Sequence, residues 1–174
     1  MKKFIKPFSK FYESKENSEF YADEKNMEYY VQIPKYSYED VKDVEITDLI
    51  GKTVMDLVWS ETSLLLECLD TESDKPVYYK FEHSQDCCES VWLDDIIGDL
   101  DDLFAVPILK AEEKISSEDS DPEPTKGSSD DSHTWTFYTL ATIKGYVDLR
   151  WYGTSNGYYS ERVNISRITP GSSN

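Results

Sequence analysis

His83, Asp86, Cys87 and Cys88 stand within one short run, H-S-Q-D-C-C. Thiolate and imidazole are the ligands that zinc prefers, and a neighbouring carboxylate can join them, so the run is a candidate site for zinc or another divalent cation. Adjacent residues of an extended chain point to opposite faces, which works against Cys87 and Cys88 sharing one ion. There is also no C-x-x-C pair, so Cys68 or His133 would have to complete the shell from elsewhere. A vicinal disulfide is the other chemistry of such a pair, but it is strained and out of place in a reducing cell. As a nucleophile, either thiol needs a base or a cation to hold its thiolate. His83 is close, yet Asp86 and Glu89 flank the cysteines and oppose another negative charge. No catalytic residue is expected here; a hydrogen-bonded core histidine, with one cysteine buried structurally and the others in a turn, is the simpler expectation.

A second group consists of acids alone. Asp94, Asp95, Asp99, Asp101 and Asp102 invite a calcium site, because hard cations take several carboxylates. The EF-hand pattern needs glycine at its sixth position; Gly98 in that place would put Leu93 first, where a carboxylate belongs. A divalent site of another kind is the alternative. The same carboxylates can instead imitate the phosphate array of a nucleic acid and occupy a basic groove on a partner protein. The candidate partner-binding face is Asp86, Glu89, Asp94, Asp95, Asp99, Asp101 and Asp102, aided by Glu112 and Glu113.

The third group is the run Gly153–Ser160 with the two residues Arg150 and Trp151 ahead of it. Glycines allow close backbone approach, and Ser155, Asn156, Tyr158 and Tyr159 offer hydrogen bonds and stacking surfaces, which together suit a small-ligand pocket. No phosphate-loop or dinucleotide fingerprint accompanies them. A plain β-turn with tyrosines packed over a sheet edge competes with the pocket.

Charge narrows the partners. The chain has 174 residues with 18 Lys+Arg against 35 Asp+Glu, a formal net charge of −17. Residues 51–115 carry −11 of it, whereas residues 134–174 carry +2. Such a surface repels duplex DNA and anionic membranes. The apolar stretches are too short to cross a bilayer, and residues 1–10 lack the long apolar core of a signal peptide. Three cysteines cannot build a disulfide framework, which favours a cytoplasmic protein. Monomer or small homo-oligomer are both compatible with this composition.

Positioning these groups falls to β-strands. Trp135–Lys144 is aromatic and β-branched, and Lys144-Gly145 suits a two-residue turn into the next strand. A tight turn there makes Tyr138 face Trp151, Leu140 face Leu149 and Thr142 face Val147 on the core side. The other side pairs Phe137 with Tyr152, Thr139 with Arg150 and Ala141 with Asp148; it is aromatic enough to need partial cover. A third strand is expected within 158–168, with Val163 and Ile165 pointing one way. Earlier, 53–59 alternates Met55, Leu57 and Trp59 against Val54, Asp56 and Val58; strands are also expected over 64–69, 77–83 and 90–97. A short helical turn is expected over 99–104, then an extended segment 106–114. Residues 116–133 contain no hydrophobic side chain and read as a mobile acidic loop. The expected organisation is an N-terminal extension 1–48, with a short helix near 37–42 and aromatics that pack on the domain. One β-rich domain follows over 49–168, interrupted by the loop 116–133, and then a flexible tail 169–174. The fold class is mainly β, an antiparallel sheet folded as a sandwich or partly open barrel with minor helix.

The runs H-S-Q-D-C-C-E-S-V (83–91), D-D-I-I-G-D-L (94–100), P-I-L-K-A-E-E (107–113), W-T-F-Y (135–138) and R-W-Y-G-T-S-N-G-Y-Y-S (150–160) together resemble a family of small proteins, without assigned activity, carried by bacteriophages and their bacterial hosts. The resemblance covers 49–115 and 134–165. It implies a phage or prophage accessory protein in the host cytoplasm and transfers no catalytic residue. Combined with the charge, it leads to the expectation of a non-enzymatic acidic protein that binds and inhibits a host protein, with nucleic-acid-handling or defence proteins as candidates. The alternative is a small-ligand or metal-binding domain, with or without hydrolytic activity.

Overall fold

The computed structural model describes residues 41–71, 73, 75–117, 122–126 and 132–169. Nine strands form two antiparallel sheets: β1 Val41–Asp43, β2 Thr53–Trp59, β3 Ser63–Asp70, β4 Lys75–Glu82, β5 Glu89–Gly98, β6 Lys110–Ser116, β7 Ser132–Ala141, β8 Tyr146–Ser155 and β9 Asn164–Ile168. Short 3-10 turns, η1 Ile46–Leu49 and η2 Leu100–Leu103, complete the described elements. The first sheet runs β1-β9-β4-β3-β2 and the second β5-β8-β7-β6. The fold is mainly β, a sandwich of two antiparallel sheets and not a closed barrel. No helix among the described residues is long and apolar enough to cross a membrane.

Alternation explains which faces meet. On β4, Val77, Tyr79 and Phe81 point inward; on β7 and β8, Tyr138, Leu140, Val147, Leu149 and Trp151 point back at them, all in one buried cluster. Phe81 and Tyr138 meet edge to face at 5.3 Å between ring centres, the geometry the aromatic quadrupole favours. The tyrosine's hydroxyl donates to a Glu113 carboxylate oxygen at 3.2 Å, and burial together with that charge pushes its pKa up.

Two β-bulges change the expected phases. One between Val54 and Asp56 puts both Val54 and Leu57 into the core and leaves Met55 exposed, so the simple alternation expected along this strand fails. The other lies between Leu93 and Asp95. The β7–β8 register also differs from the tight-turn expectation: Tyr138 faces Leu149, Leu140 faces Val147, Phe137 faces Arg150 and Thr139 faces Asp148. The connection is a four-residue loop because Thr142 is committed elsewhere. Its hydroxyl donates to the carbonyl oxygen of Asp102, its N–H donates to that of Gly145, and Lys144 Nζ donates to that of Phe104 at 2.8 Å. A register shift of two residues leaves every side chain on its own face, so the core side is the one expected from the sequence.

The domain begins earlier than residue 49. β1 pairs with β9, and Ile46 and Leu49 of η1 are in the core. Val41 and Lys42 are therefore strand, not helix; the rest of the expected N-terminal extension lies outside the described residues, as do 170–174. The extended segment expected over 106–114 forms its strand slightly later, at Lys110–Ser116, and strand β9 is confined to Asn164–Ile168.

Candidate functional site

β4 ends and β5 begins at one end of the sandwich, where the β8–β9 connection also lies, since Glu89 and Ser155 are cross-strand partners. The H-S-Q-D-C-C run and the G-T-S-N-G-Y-Y-S run thus converge at one tip. Their meeting is organised by two buried carboxylates.

The first is Glu89, which sequence reasoning assigned to an exposed acidic face. It is buried and faces inward. Its carboxylate accepts the backbone N–H groups of Asp86 and, at 3.1 Å, of Cys87, and His83 Nε2 lies 3.3 Å away. Chiefly through the Asp86 N–H, and further through the Cys87 N–H and His83, its pKa is held down to about 2 against the opposing cost of burial. Gln85 Nε2 donates to the backbone oxygen of Glu89 at 3.1 Å. The other ring nitrogen of His83, Nδ1, donates to the carbonyl oxygen of Arg162 at 2.8 Å, so this ring joins the two loops. The hydrogen bonding expected of His83 is present and its ring is shielded, but the residue lies just beyond β4 at the tip and not in the core between the sheets.

The second carboxylate, Glu161, was not singled out from sequence. It is 6 % exposed and accepts Ser155 Oγ at 2.6 Å and Thr134 Oγ1 at 2.7 Å. Ser155 Oγ in turn accepts the N–H of Gly157 at 3.0 Å, which pins the turn from beneath. Gly153 has to be glycine: a Cβ there would lie 2.4 Å from the Glu161 carbonyl oxygen and 2.7 Å from its Cβ. A lone acid following a polar turn carries no sequence signal that separates a buried anchor from a solvated residue.

Above these anchors stand the exposed groups. Asp86, Cys87, Cys88 and Asn156 are exposed, Tyr159 is half-buried and Tyr158 is 91 % exposed. Asn156 Oδ1 accepts the N–H of Tyr158 at 3.2 Å, and Gly157 takes φ +84°, a conformation that favours glycine. Tyr159 hydrogen bonds with Cys87, which pushes the tyrosine's pKa up. Cys87 and Cys88 occupy a bend ahead of β5, not a strand, and their Sγ atoms lie 2.7 Å apart. Cys88 is pushed up mainly by that hydrogen bond, with the Glu89 charge adding to it. Cys68 is buried in β3, and desolvation pushes it up to about 12.

Several candidates do not assemble. Among the described residues no three His, Cys, Asp or Glu side chains form a group able to hold a metal ion. Asp86 lies before the start of β5, whereas Asp99, Asp101 and Asp102 follow its far end, roughly 30 Å away for a strand of this length. Glu112 and Glu113 lie on β6, the opposite edge of the sheet, and as neighbours they point to opposite faces. Asp94 is tied down, accepting Trp92 Nε1 at 3.0 Å and the N–H and hydroxyl of Thr125. Asp95 accepts the N–H of Ile96, and Asp99 caps η2 by accepting the N–H of Asp101. The acids therefore do not share one face. Of the ligand candidates, Trp151 is fully buried and Ser155 is spent on Glu161. Arg150 points to the outer face, over the rings of Trp135 and Phe137 at 5.6 Å from each.

That outer face holds Trp92, Trp135 and Tyr152 in a cluster with Phe137 against it, matching the expectation of an aromatic side under partial cover. Part of the cover comes from the acidic loop. Besides the Thr125–Asp94 bonds, Lys126 pairs with Glu61 at 2.6 Å and lies over the Trp92 ring. Within the span 116–133 expected to be a mobile loop, Thr125 and Lys126 are thus docked on the sheet, and Ser116 and Ser132 belong to β6 and β7.

A family described as Domain of unknown function (DUF7448) matches residues 47–165. No match was found among curated proteins or among solved structures. The matched span contains both runs that meet at the tip.

Proposed function

The chain belongs to the DUF7448 family, and we propose that its domain is a non-enzymatic protein-binding module whose binding surface is the tip formed by the β4–β5 and β8–β9 connections. The observation that carries this reading is Tyr158: a large aromatic side chain, 91 % exposed, on a turn fixed from beneath by Ser155, Glu161 and Asn156. An aromatic side chain held ready on a rigid loop loses little entropy when a partner covers it, and such residues dominate interface energies. The polar groups of His83, Glu89, Ser155 and Glu161 are engaged with one another, which suits a scaffold better than a reaction centre. The net charge of −17 favours the approach of a basic partner and speeds its encounter.

The motif resemblance supports an origin in a phage or prophage and a partner in the host cytoplasm, which the domain would inhibit by occupying it. Proteins that handle nucleic acid, including defence enzymes, carry the basic surfaces that suit this charge. The test is affinity capture from bacterial lysate at low and high salt. It compares the full chain with Tyr158→Ala and with the charge-reversed pair Asp99→Lys and Asp101→Lys. The expected result is a host protein retained by the unaltered chain and lost with Tyr158→Ala, with charge reversal lowering recovery mainly at low salt. Equal retention by the unaltered chain and Tyr158→Ala would overturn the assignment of the tip.

A further inference from the structure

We propose that Cys87 and Cys88 form a redox-active dithiol that low-molecular-weight disulfides of the glutathione class convert reversibly into a vicinal disulfide. Alternation along a strand would separate these two thiols, but the chain bends at 87–88 and only enters β5 at Glu89. The bend brings the two Sγ atoms to 2.7 Å, inside ordinary sulfur contact. It is held from within: the N–H groups of Asp86 and Cys87 donate to the buried Glu89 carboxylate, and Gln85 donates to the Glu89 backbone oxygen. Both cysteines are exposed, so an oxidant reaches them, whereas Cys68 is fully buried and serves as an internal control.

The chemistry runs in two exchanges. One cysteine, as its thiolate, attacks a sulfur of the oxidant; the oxidant's S–S bond breaks, a mixed disulfide forms and one small thiol leaves. The neighbouring cysteine then attacks the protein sulfur of that mixed disulfide and expels the second small thiol. In sum, two cysteine S–H bonds and one oxidant S–S bond give one protein S–S bond and two small thiols. The preset proximity makes the second exchange intramolecular and fast relative to a second encounter. A disulfide between adjacent residues is strained and exposed, which makes it easily reduced and the change reversible.

The experiment equilibrates the full chain with graded ratios of oxidised to reduced glutathione, quenches with acid, alkylates with N-ethylmaleimide and measures intact mass and peptide masses. The expected product has lost two hydrogen atoms, carries no glutathione, maps to the Cys87–Cys88 peptide and reverts with excess reduced glutathione. Cys87→Ser and Cys88→Ser should each stop at a stable glutathione adduct. Phenylarsine oxide, which bridges close thiols, should protect both cysteines of the unaltered chain from maleimide and neither single variant. A chain that stays reduced at every ratio, that accumulates the glutathione adduct, or that couples to a second chain instead would overturn the proposal.

Discussion

His83 Nδ1 lies 2.8 Å from the carbonyl oxygen of Arg162, a residue 79 positions further along the chain, and thereby ties the β4–β5 bend to the β8–β9 connection. A carbonyl oxygen only accepts, so Nδ1 carries a proton and Nε2 faces the Glu89 carboxylate. The pair is nearly shut off from solvent, with side-chain exposures of 7 % and 1 %. Removing the ring strips both loops of a shared anchor. His83→Ala should lower unfolding stability by about 1–3 kcal/mol, the usual cost of leaving buried polar groups without partners. Urea denaturation of the two proteins measures it.

The acid limb of the stability profile follows from Glu89. Its carboxyl is held down to about 2 in the folded chain against an ordinary value of 4.5, chiefly by the Asp86 N–H. As pH falls the unfolded chain takes up this proton first, so unfolding gains. The stabilisation is complete above about 4.5 and disappears as pH drops from there towards 2. Thermal melts of the unaltered chain and Glu89→Gln should therefore differ most above pH 4.5, with the difference shrinking towards pH 2. A constant difference across that range would remove Glu89 from the acid limb.

Gly153 tests the second anchor. A methyl group at this position cannot fit, because the obstacle is the backbone oxygen of Glu161 at 2.4 Å and not the free end of a side chain. Gly153→Ala should cost about 1–3 kcal/mol, as overpacking of buried sites does. It should also loosen the Tyr158 turn, visible as faster amide exchange over 155–163. Gly157→Ala makes a useful contrast, since open space surrounds its Cβ direction and only its φ of +84° resists the change.

Much of this architecture is legible in the chain because the period-2 signal is strong where both neighbours of a strand are strands. Val77, Tyr79 and Phe81 alternate inward as their types suggest, and the core side of β7 and β8 follows from Tyr138, Leu140 and Leu149. The failures share a cause: contacts remote in sequence. The Val54/Asp56 bulge, the commitment of Thr142 to Asp102 and the docking of Thr125 on Asp94 all depend on partners that no local window contains. The tip was half legible. Both of its runs stand out by composition, but reading 87–88 as extended chain sets the two thiols on opposite faces, and Glu89 looks like any exposed acid. Its role depends on N–H groups two and three residues back, reached only because the chain bends.

Thiol reactivity should divide the three cysteines. Desolvation in the β3 core pushes Cys68 up to about 12, so at neutral to mildly alkaline pH it is protonated as well as inaccessible. In Cys87→Ser, maleimide should label Cys88 in the native protein and reach Cys68 only in denaturant. Peptide mapping after timed quenching checks the order.

Thr134 and Thr136 lie two apart on β7 and therefore on one face, and they should respond in opposite directions to the same substitution. Thr134 Oγ1 donates to the buried Glu161 carboxylate at 2.7 Å, while Thr136 Oγ1, although its residue is only 1 % exposed, has no partner among the described residues. Its cross-strand neighbour Trp151 has an unpartnered Nε1 as well, so two polar atoms are buried there without compensation. Valine keeps the shape and β-branching of threonine and replaces the hydroxyl by a methyl group. At position 136 that exchange removes an uncompensated desolvation and should raise stability by about 1 kcal/mol. At position 134 it deprives Glu161 of a donor and should lower stability by about 1–3 kcal/mol. Chemical denaturation of both variants measures the two signs. Loss of stability in Thr136→Val would mean that its hydroxyl has a partner, of which a buried water bridging to Trp151 Nε1 is the chemically simplest.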